Sequence, residues 1–331
     1  MNKYVFKFSL AVFLLIITFI YSMTSGISDI SLTMTFKSLF SKVDDNTYTI
    51  INQIRFPRVF LAVIAGAGLS ASGCVFQGIL RNPLADPFTL GISGGAAFGA
   101  SVGFILGVAA VSWIFIPLFA FIGAMLSVCL VYSMNVRKEF DSNGMILSGV
   151  VASYIFSSAV MLIFAVLSSD QLYSAFMWLM GNLSSFDERL LPSITVIIIA
   201  GIVLLCLFGN VINIIALGHE KASSLGVNTT KTVKYIFLLS SLMTALIVSC
   251  CGVIGFVGLM IPHITRKFVG NDHRVLIPMS VLAGAVFLPL CDTLSRVLFA
   301  PVEIPIGVIT SIVGGIFFMF LLLKPSGKIT L

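Results

Sequence analysis

Apolar runs of about twenty residues succeed one another along almost the whole chain, and that pattern leaves few architectures open. Bounded by Pro, Gly or charge, the runs fall at 4–23, 57–78, 88–107, 111–134, 145–168, 191–213, 233–252, 253–269, 276–298 and 305–323. A helix needs about 20 mostly apolar residues to cross a bilayer. Of 331 residues, 58% are apolar, roughly 190, enough for nine or ten such helices and little else. Charged residues make up only 10%, against about a quarter in soluble domains. The mean hydropathy of +1.11 agrees. A soluble enzyme, a nucleic-acid-binding protein and a disordered chain are excluded, and an all-α polytopic membrane protein is expected.

The count turns on Gly252, Gly255 and Gly258, which interrupt one long run ahead of Pro262. A chain reversal there gives ten spans, and a single helix gives nine. Positive charge discriminates, because Lys and Arg concentrate on the cytoplasmic side. With ten spans and the N-terminus inside, the inner segments hold Lys3, Lys7, Arg81, Arg137, Lys138, Lys221, Lys231, Lys234, Arg266, Lys267, Arg274, Lys324 and Lys328. The outer segments hold Lys37, Lys42, Arg55, Arg58, Arg189 and Arg296. This excess favours ten spans with both termini cytoplasmic. The net charge of +6 is then topological. Lys3 and Lys7 precede a run from Phe8 to Tyr21 with no A-x-A-like site after it, so an uncleaved first span is expected rather than a signal peptide.

Two polar stretches stand outside the spans. Residues 25–54, with Asp44-Asp45-Asn46, form an outer loop. Residues 214–232 form the longest inner loop, whose Ala216–Leu225 part reads as a short surface helix. No repeat or linker divides the chain, so 1–331 is one transmembrane domain. Gly91, Gly95, Gly99, Gly103 and Gly107 recur every four residues, a smooth helix face on which a neighbouring backbone can pack closely. The cysteines (Cys74, Cys129, Cys206, Cys250, Cys251, Cys291) lie in apolar runs without a CxxC pair and read as small core residues.

Motifs for covalent chemistry are missing. There is no GxxxxGK[ST] loop for phosphates, and His219-Glu220 lacks the second His of a zinc motif. Of the acidic residues, Asp292 sits well inside a span, with Arg296 one turn on and Glu303 near the outer edge. An intramembrane acid is a functional candidate, and pairing with Arg296 is its plain alternative.

The stretch RFPRVFLAVIAGAGLSASGCVFQGILRNPLADPFTLGISGGAAFGA, Arg55 to Ala100, resembles the signature of FecCD-type permeases, the membrane subunits of ATP-binding-cassette (ABC) importers for iron-siderophores, haem and cobalamin. The blocks 216–227, 252–278 and 291–323 agree in order and spacing. The resemblance implies type II ABC importer permease architecture with about ten transmembrane helices, in a bacterial cytoplasmic (inner) membrane. It implies a second permease subunit, identical or paralogous, two cytoplasmic ABC ATPase subunits and an extracytoplasmic substrate-binding protein. ATP and Mg2+ would be used by the ATPase partner, with no cofactor or metal on this chain, no catalytic residue and no nucleic acid.

By the same resemblance the ATPase-coupling element, at about 216–227, corresponds to Leu217, Gly218, His219, Glu220, Ala222, Leu225 and Gly226. The binding-protein dock resembles Arg55, Arg58 and Arg296, whose guanidinium forks suit carboxylates. Gln77 and the Arg81-Asn82-Pro83 turn match an inner loop and read as a polar hinge. Ferric siderophore is the first expected cargo, with haem and cobalamin next. The rival reading is an ion-gradient-driven secondary carrier using Asp292, which calls for paired intramembrane charges and inverted repeats, and neither is found.

Overall fold

A computed structural model describes residues 2–26, 30–40, 45–112, 114–136, 141–184 and 187–323. Among them the secondary structure is entirely helical. The helices are α1 (Asn2–Thr24), α2 (Leu32–Phe40), α3 (Asp45–Tyr48), α4 (Phe56–Ile79), α5 (Ile92–Ile105), α6 (Phe115–Asn135), α7 (Ser142–Phe164), α8 (Ser169–Leu179), α9 (Leu191–Leu207), α10 (Gly209–Ala216), α11 (His219–Ser224), α12 (Thr229–Cys251), α13 (Val257–Val269), α14 (His273–Val297) and α15 (Ile306–Leu323). Local chemistry sets many of the boundaries. Asp141, Asn228 and Asp272 accept backbone N–H bonds at the starts of α7, α12 and α14, as N-caps do. Gly252 and Gly270, at φ +70° and +85°, close α12 and α13, where a Cβ would be strained.

Eight of the described helices are long and apolar enough to cross a membrane. Two further segments expected as spans are shorter. Helix α5 has 14 residues and α13 has 13, so each rises only about 20 Å against a hydrocarbon core of about 30 Å. Non-helical chain precedes each: residues 80–91 before α5 and 252–256 before α13.

Helix α4 is the hub, with 89% of its most apolar window buried, against 11% for α1. A helix apolar on every side belongs inside the bundle. Along α4, Phe76 meets Phe237, Ser72 donates to the Ser240 carbonyl and Gly68 faces Ile247, so α12 runs antiparallel. Gly73 faces Gly258 while Gln77 meets Arg266, so α13 runs parallel. The chain therefore reverses at 252–256, as the three glycines imply.

Close approach explains several small residues. A Cβ on Gly73 would stand 1.9 Å from the Gly258 oxygen, and one on Gly66 would stand 2.2 Å from the Gly284 oxygen. The five-glycine stripe is narrower than its spacing suggests. Gly95, Gly99 and Gly103 face α6, with added Cβ atoms 2.4 Å from the Gly123 oxygen, 2.0 Å from the Phe119 oxygen and 2.9 Å from Ile116 Cδ1. Gly91 and Gly107 lie beyond the helix at φ +81° and +67°, and Gly107 meets nothing within 4 Å. Gly107 therefore makes a turn only, whereas Gly91 combines its turn with close packing, an added Cβ standing 2.9 Å from Ser127 Oγ and 3.1 Å from the Gly149 oxygen.

Other expectations are also amended. The outer segment 25–54 contains α2, α3 and a π-helical stretch, Thr49–Arg55, that runs on into α4. The sixth span ends at Leu207, and α10 is a separate helix. Helix α8 had no signal in the apolar pattern. Its Ser168 and Gln171 form a reciprocal capping box. Lys42, Asp44, Arg137, Lys138, Lys324 and Lys328 lie outside the described residues. All six cysteines are free.

Replacing Gly73 by Ala should destabilise the fold by about 3 kcal/mol, the upper part of the usual range for overpacking. Gly315→Ala, where a Cβ meets nothing within 4 Å, should be neutral. Thermal unfolding of the detergent-solubilised chain, followed by size-exclusion chromatography, measures both.

Candidate functional site

The two ends of the bundle carry different chemistry. At one end the C-terminus of α1, the N-terminus of α4 and the C-terminus of α14 converge. Asp292, on α14 and fully buried, accepts from Arg58 Nε at 2.9 Å through one oxygen and from Arg296 Nε at 3.1 Å through the other. Arg58 also pairs with Glu303 at 2.7 Å. Other donors of the arginines go largely to backbone, with Arg296 also reaching Thr293 Oγ1 at 3.2 Å. Arg296 reaches the carbonyls of Ser22 and Ser25 at 3.0 and 2.8 Å, and Arg55 those of Met23 and Thr24 at 2.9 and 2.8 Å.

These carbonyls belong to the last turn of α1, where a helix leaves acceptors unpaired and carries partial negative charge. The arginines thus cap α1 from outside and fasten it to α4 and α14. The three expected docking residues do gather at one end, but all are buried, at 5%, 8% and 5% exposure for Arg55, Arg58 and Arg296. Their forks are turned onto the chain's own carboxylates and carbonyls. Glu303, its side chain 38% exposed, is the member of the cluster that meets the surface. The Asp292–Arg296 pair was legible as i,i+4, whereas Arg58, 234 positions away, had no local signal.

The opposite end holds α10 and α11. Gly218, at φ +108°, turns the chain between them. Ala222 is fully buried against the bundle, while Leu217 and Leu225 are 57% and 61% exposed and Glu220 is exposed. His219 opens α11, and its side chain lies outside the described residues. Gly226 closes the element at φ +81° with nothing within 4 Å of an added Cβ. Helix α10 is clamped to the base of α14. Asn213 donates to Asp272 at 2.7 Å, and its carbonyl oxygen accepts from the His273 backbone N–H at 2.9 Å. The Arg274 guanidinium, with help from Asn213, holds the Asp272 carboxyl well below the usual carboxylate range. Asp272 therefore stays charged down to acid pH. The clamp escaped sequence reading, because Asn213 falls inside an apolar run.

Gln77 has a definite task between these ends. Pro262 lacks the N–H that would bond the Gly258 carbonyl four residues back. Gln77 Nε2 donates instead to the Gly258 and Leu259 carbonyls at 3.4 and 3.2 Å, and its oxygen accepts from Arg266 at 3.0 Å.

Residues 14–324 match the model of the FecCD transport family. The haemin transport system permease protein HmuU of Yersinia pestis is 35% identical over 321 residues, covering 94% of each chain. The Fe(3+) dicitrate transport system permease protein FecD of Escherichia coli K12 is 35% identical over 84% of this chain and 86% of that one. A solved structure described as a metal-chelate type ABC transporter in an inward-facing conformation superposes with a TM-score of 0.85. It is 30% identical and covers 97% of this chain and all of that one.

Removing one partner from a buried ion pair strands the others without counter-charge, at a cost of about 3–5 kcal/mol. Asp292→Ala should lower the thermal midpoint strongly for that reason. Glu303→Gln, at a partly exposed position, should lower it far less. Equal effects would remove Asp292 from the centre of the network.

Proposed function

The chain belongs to the FecCD transport family, and on that premise we propose that it is the membrane-spanning permease subunit of an ATP-driven importer of metal chelates. The family match across almost the whole sequence carries this reading. Ferric siderophore is the first cargo class, with haem and cobalamin next. The permease works by alternating access beside a second permease subunit, identical or paralogous. ATP and Mg2+ are consumed by two separate ATPase chains, and an extracytoplasmic binding protein delivers the chelate. The chain lies in the bacterial cytoplasmic membrane with both termini inside.

Geometry supports a division of labour between the ends. Leu217, Glu220 and Leu225 offer apolar and acidic contacts beyond the bundle, around a buried Ala222. An ATPase gripping α10 and α11 moves an element that Asn213 ties to α14. Helix α14 has 25 residues, about 38 Å of length, and its far end carries Asp292 and Arg296. Movement at the cytoplasmic base thereby reaches the outer cluster through one continuous helix, which carries Pro278 and Pro289 in its interior. A binding protein's carboxylates at that outer end would compete with Glu303 for Arg58.

Paired charges of the kind an ion-driven carrier calls for do surround Asp292, but they do not leave it free to carry an ion. Both oxygens of that carboxylate are taken by arginines, which leaves no vacancy for a travelling cation.

Deleting the gene in its host should abolish accumulation of radio-iron supplied as the cognate chelate, and the wild-type gene should restore it. Unchanged accumulation of ferric siderophore, haem and cobalamin alike would reject the reading. Leu225→Glu should prevent co-purification of the ATPase subunit. Asn213→Ala should keep that subunit bound yet lower uptake about tenfold, a coupling loss of the usual size.

A further inference from the structure

Both interrupted segments end at one place. Residues 80–91 and 252–256 are non-helical, although their neighbours are membrane helices. Irregular backbone at membrane depth is tolerated only where protein covers it or where it lines a cavity. Here a cavity of about 580 Å3 lies among these segments, the end of α8 and the start of α15. Backbone hydrogen bonds lace its rim: Asn182 N–H to the Cys251 carbonyl at 2.8 Å, Ile306 N–H to Gly181 at 3.2 Å and Gly307 N–H to Met180 at 3.0 Å. Its walls are mostly apolar, with Phe256, Leu259, Val308 and Ile312 prominent.

Asp86 is the charged residue of the lining and is 95% buried, with 5% of its surface exposed. Its backbone N–H and carbonyl are engaged with Thr89 Oγ1 at 3.2 and 2.7 Å. Among the described residues no hydrogen bond or ion pair reaches its carboxylate. One oxygen rests against Gly258, 2.7 Å from where a Cβ would stand, so a side chain at 258 would displace it. An unpaired buried carboxylate is costly, and it persists where a ligand completes it. A bare metal ion is a poor fit. Among the described residues no group of three or more His, Cys, Asp or Glu could hold one. The walls suit an apolar body, and the carboxylate suits a donor.

We propose that this cavity is a cargo-contact site in which Asp86 accepts a charge-assisted hydrogen bond from an ammonium group on an otherwise apolar-surfaced chelate. The inference rests on the importer reading and adds to it a residue and a chemical preference. A chelate entering between α8, α13 and α15 places its apolar shell on Phe256, Leu259 and Val308. Its ammonium then neutralises the carboxylate. Ser311, also in the lining, adds a hydroxyl to the cavity.

The test uses the full chain in lipid nanodiscs and equilibrium dialysis of two radio-iron probes. One is a ferric trihydroxamate with a free primary ammonium, and the other is the same chelate N-acetylated. The wild-type chain should prefer the ammonium probe by about tenfold, the usual weight of one charge-assisted hydrogen bond. Asp86→Asn should erase the preference, and Asp86→Glu should keep part of it. Hexylammonium should compete with the ammonium probe on the wild-type chain, and hexanol should not, a comparison that needs no folded variant. Equal binding of the two probes, binding of neither, or a preference that survives in Asp86→Asn overturns the proposal. Iron accumulation that depends on the gene but shows no such preference sinks this inference alone. Loss of gene-dependent accumulation sinks the importer reading.

Discussion

Inside a bilayer each backbone N–H and C=O has to find its partner within the protein, and the structure is arranged around the few places where helices fail to provide one. The long helices meet the requirement alone. The two short ones, α5 and α13, are each preceded by non-helical chain, and the start of α13 packs on α4, the most buried of the spanning helices. Glycines let the backbones approach until Gly73 touches Gly258. Gln77 then reaches the carbonyl that Pro262 leaves free. The interruption at 252–256 is thus a built feature, with its own glycines, its own polar side chain and a cavity beside it.

Charge is used with equal economy. A buried carboxylate survives when two guanidinium groups flank it, and guanidinium groups survive when their spare donors find carbonyls. Asp292 meets the first condition between Arg58 and Arg296, the spare donor of Arg58 goes to Glu303, and Arg296 with Arg55 supplies the end of α1 with donors. The same long helix that carries Asp292 begins at Asp272 and His273, where Asn213 attaches α10. Rigid elements with polar joints at both ends transmit displacement, whereas flexible loops dissipate it. Among the described residues Asp86, unlike Asp292, has no such partner, and that contrast singles it out as a ligand contact.

Much of this was legible in the sequence, for identifiable reasons. Apolar run length marks a membrane helix regardless of context, so the spanning segments and the turn at Gly252–Gly258 could be read directly. The surface helix near 216–225 was legible because polar residues there break an apolar background. Partnerships far apart in sequence were not. Arg58 with Asp292 and Asn213 with Asp272 depend on which helices become neighbours, and one chain's pattern does not encode that locally. Arginines at 55, 58 and 296 read as surface groups because composition reports charge but not direction. The five-glycine spacing overstated its stripe by one residue, since Gly107 serves a positive φ angle and packs on nothing, which periodicity does not distinguish from packing.

The reading as a whole stands on ATP-driven passage of a metal chelate through this chain. Purified permease can be placed in liposomes with its ATPase and binding protein, and accumulation of a radio-iron chelate followed with ATP and Mg2+ on the ATPase side. Accumulation against a concentration gradient that requires ATP hydrolysis and the binding protein is the expected result. Accumulation driven by a proton or sodium gradient, with the ATPase absent, would contradict it.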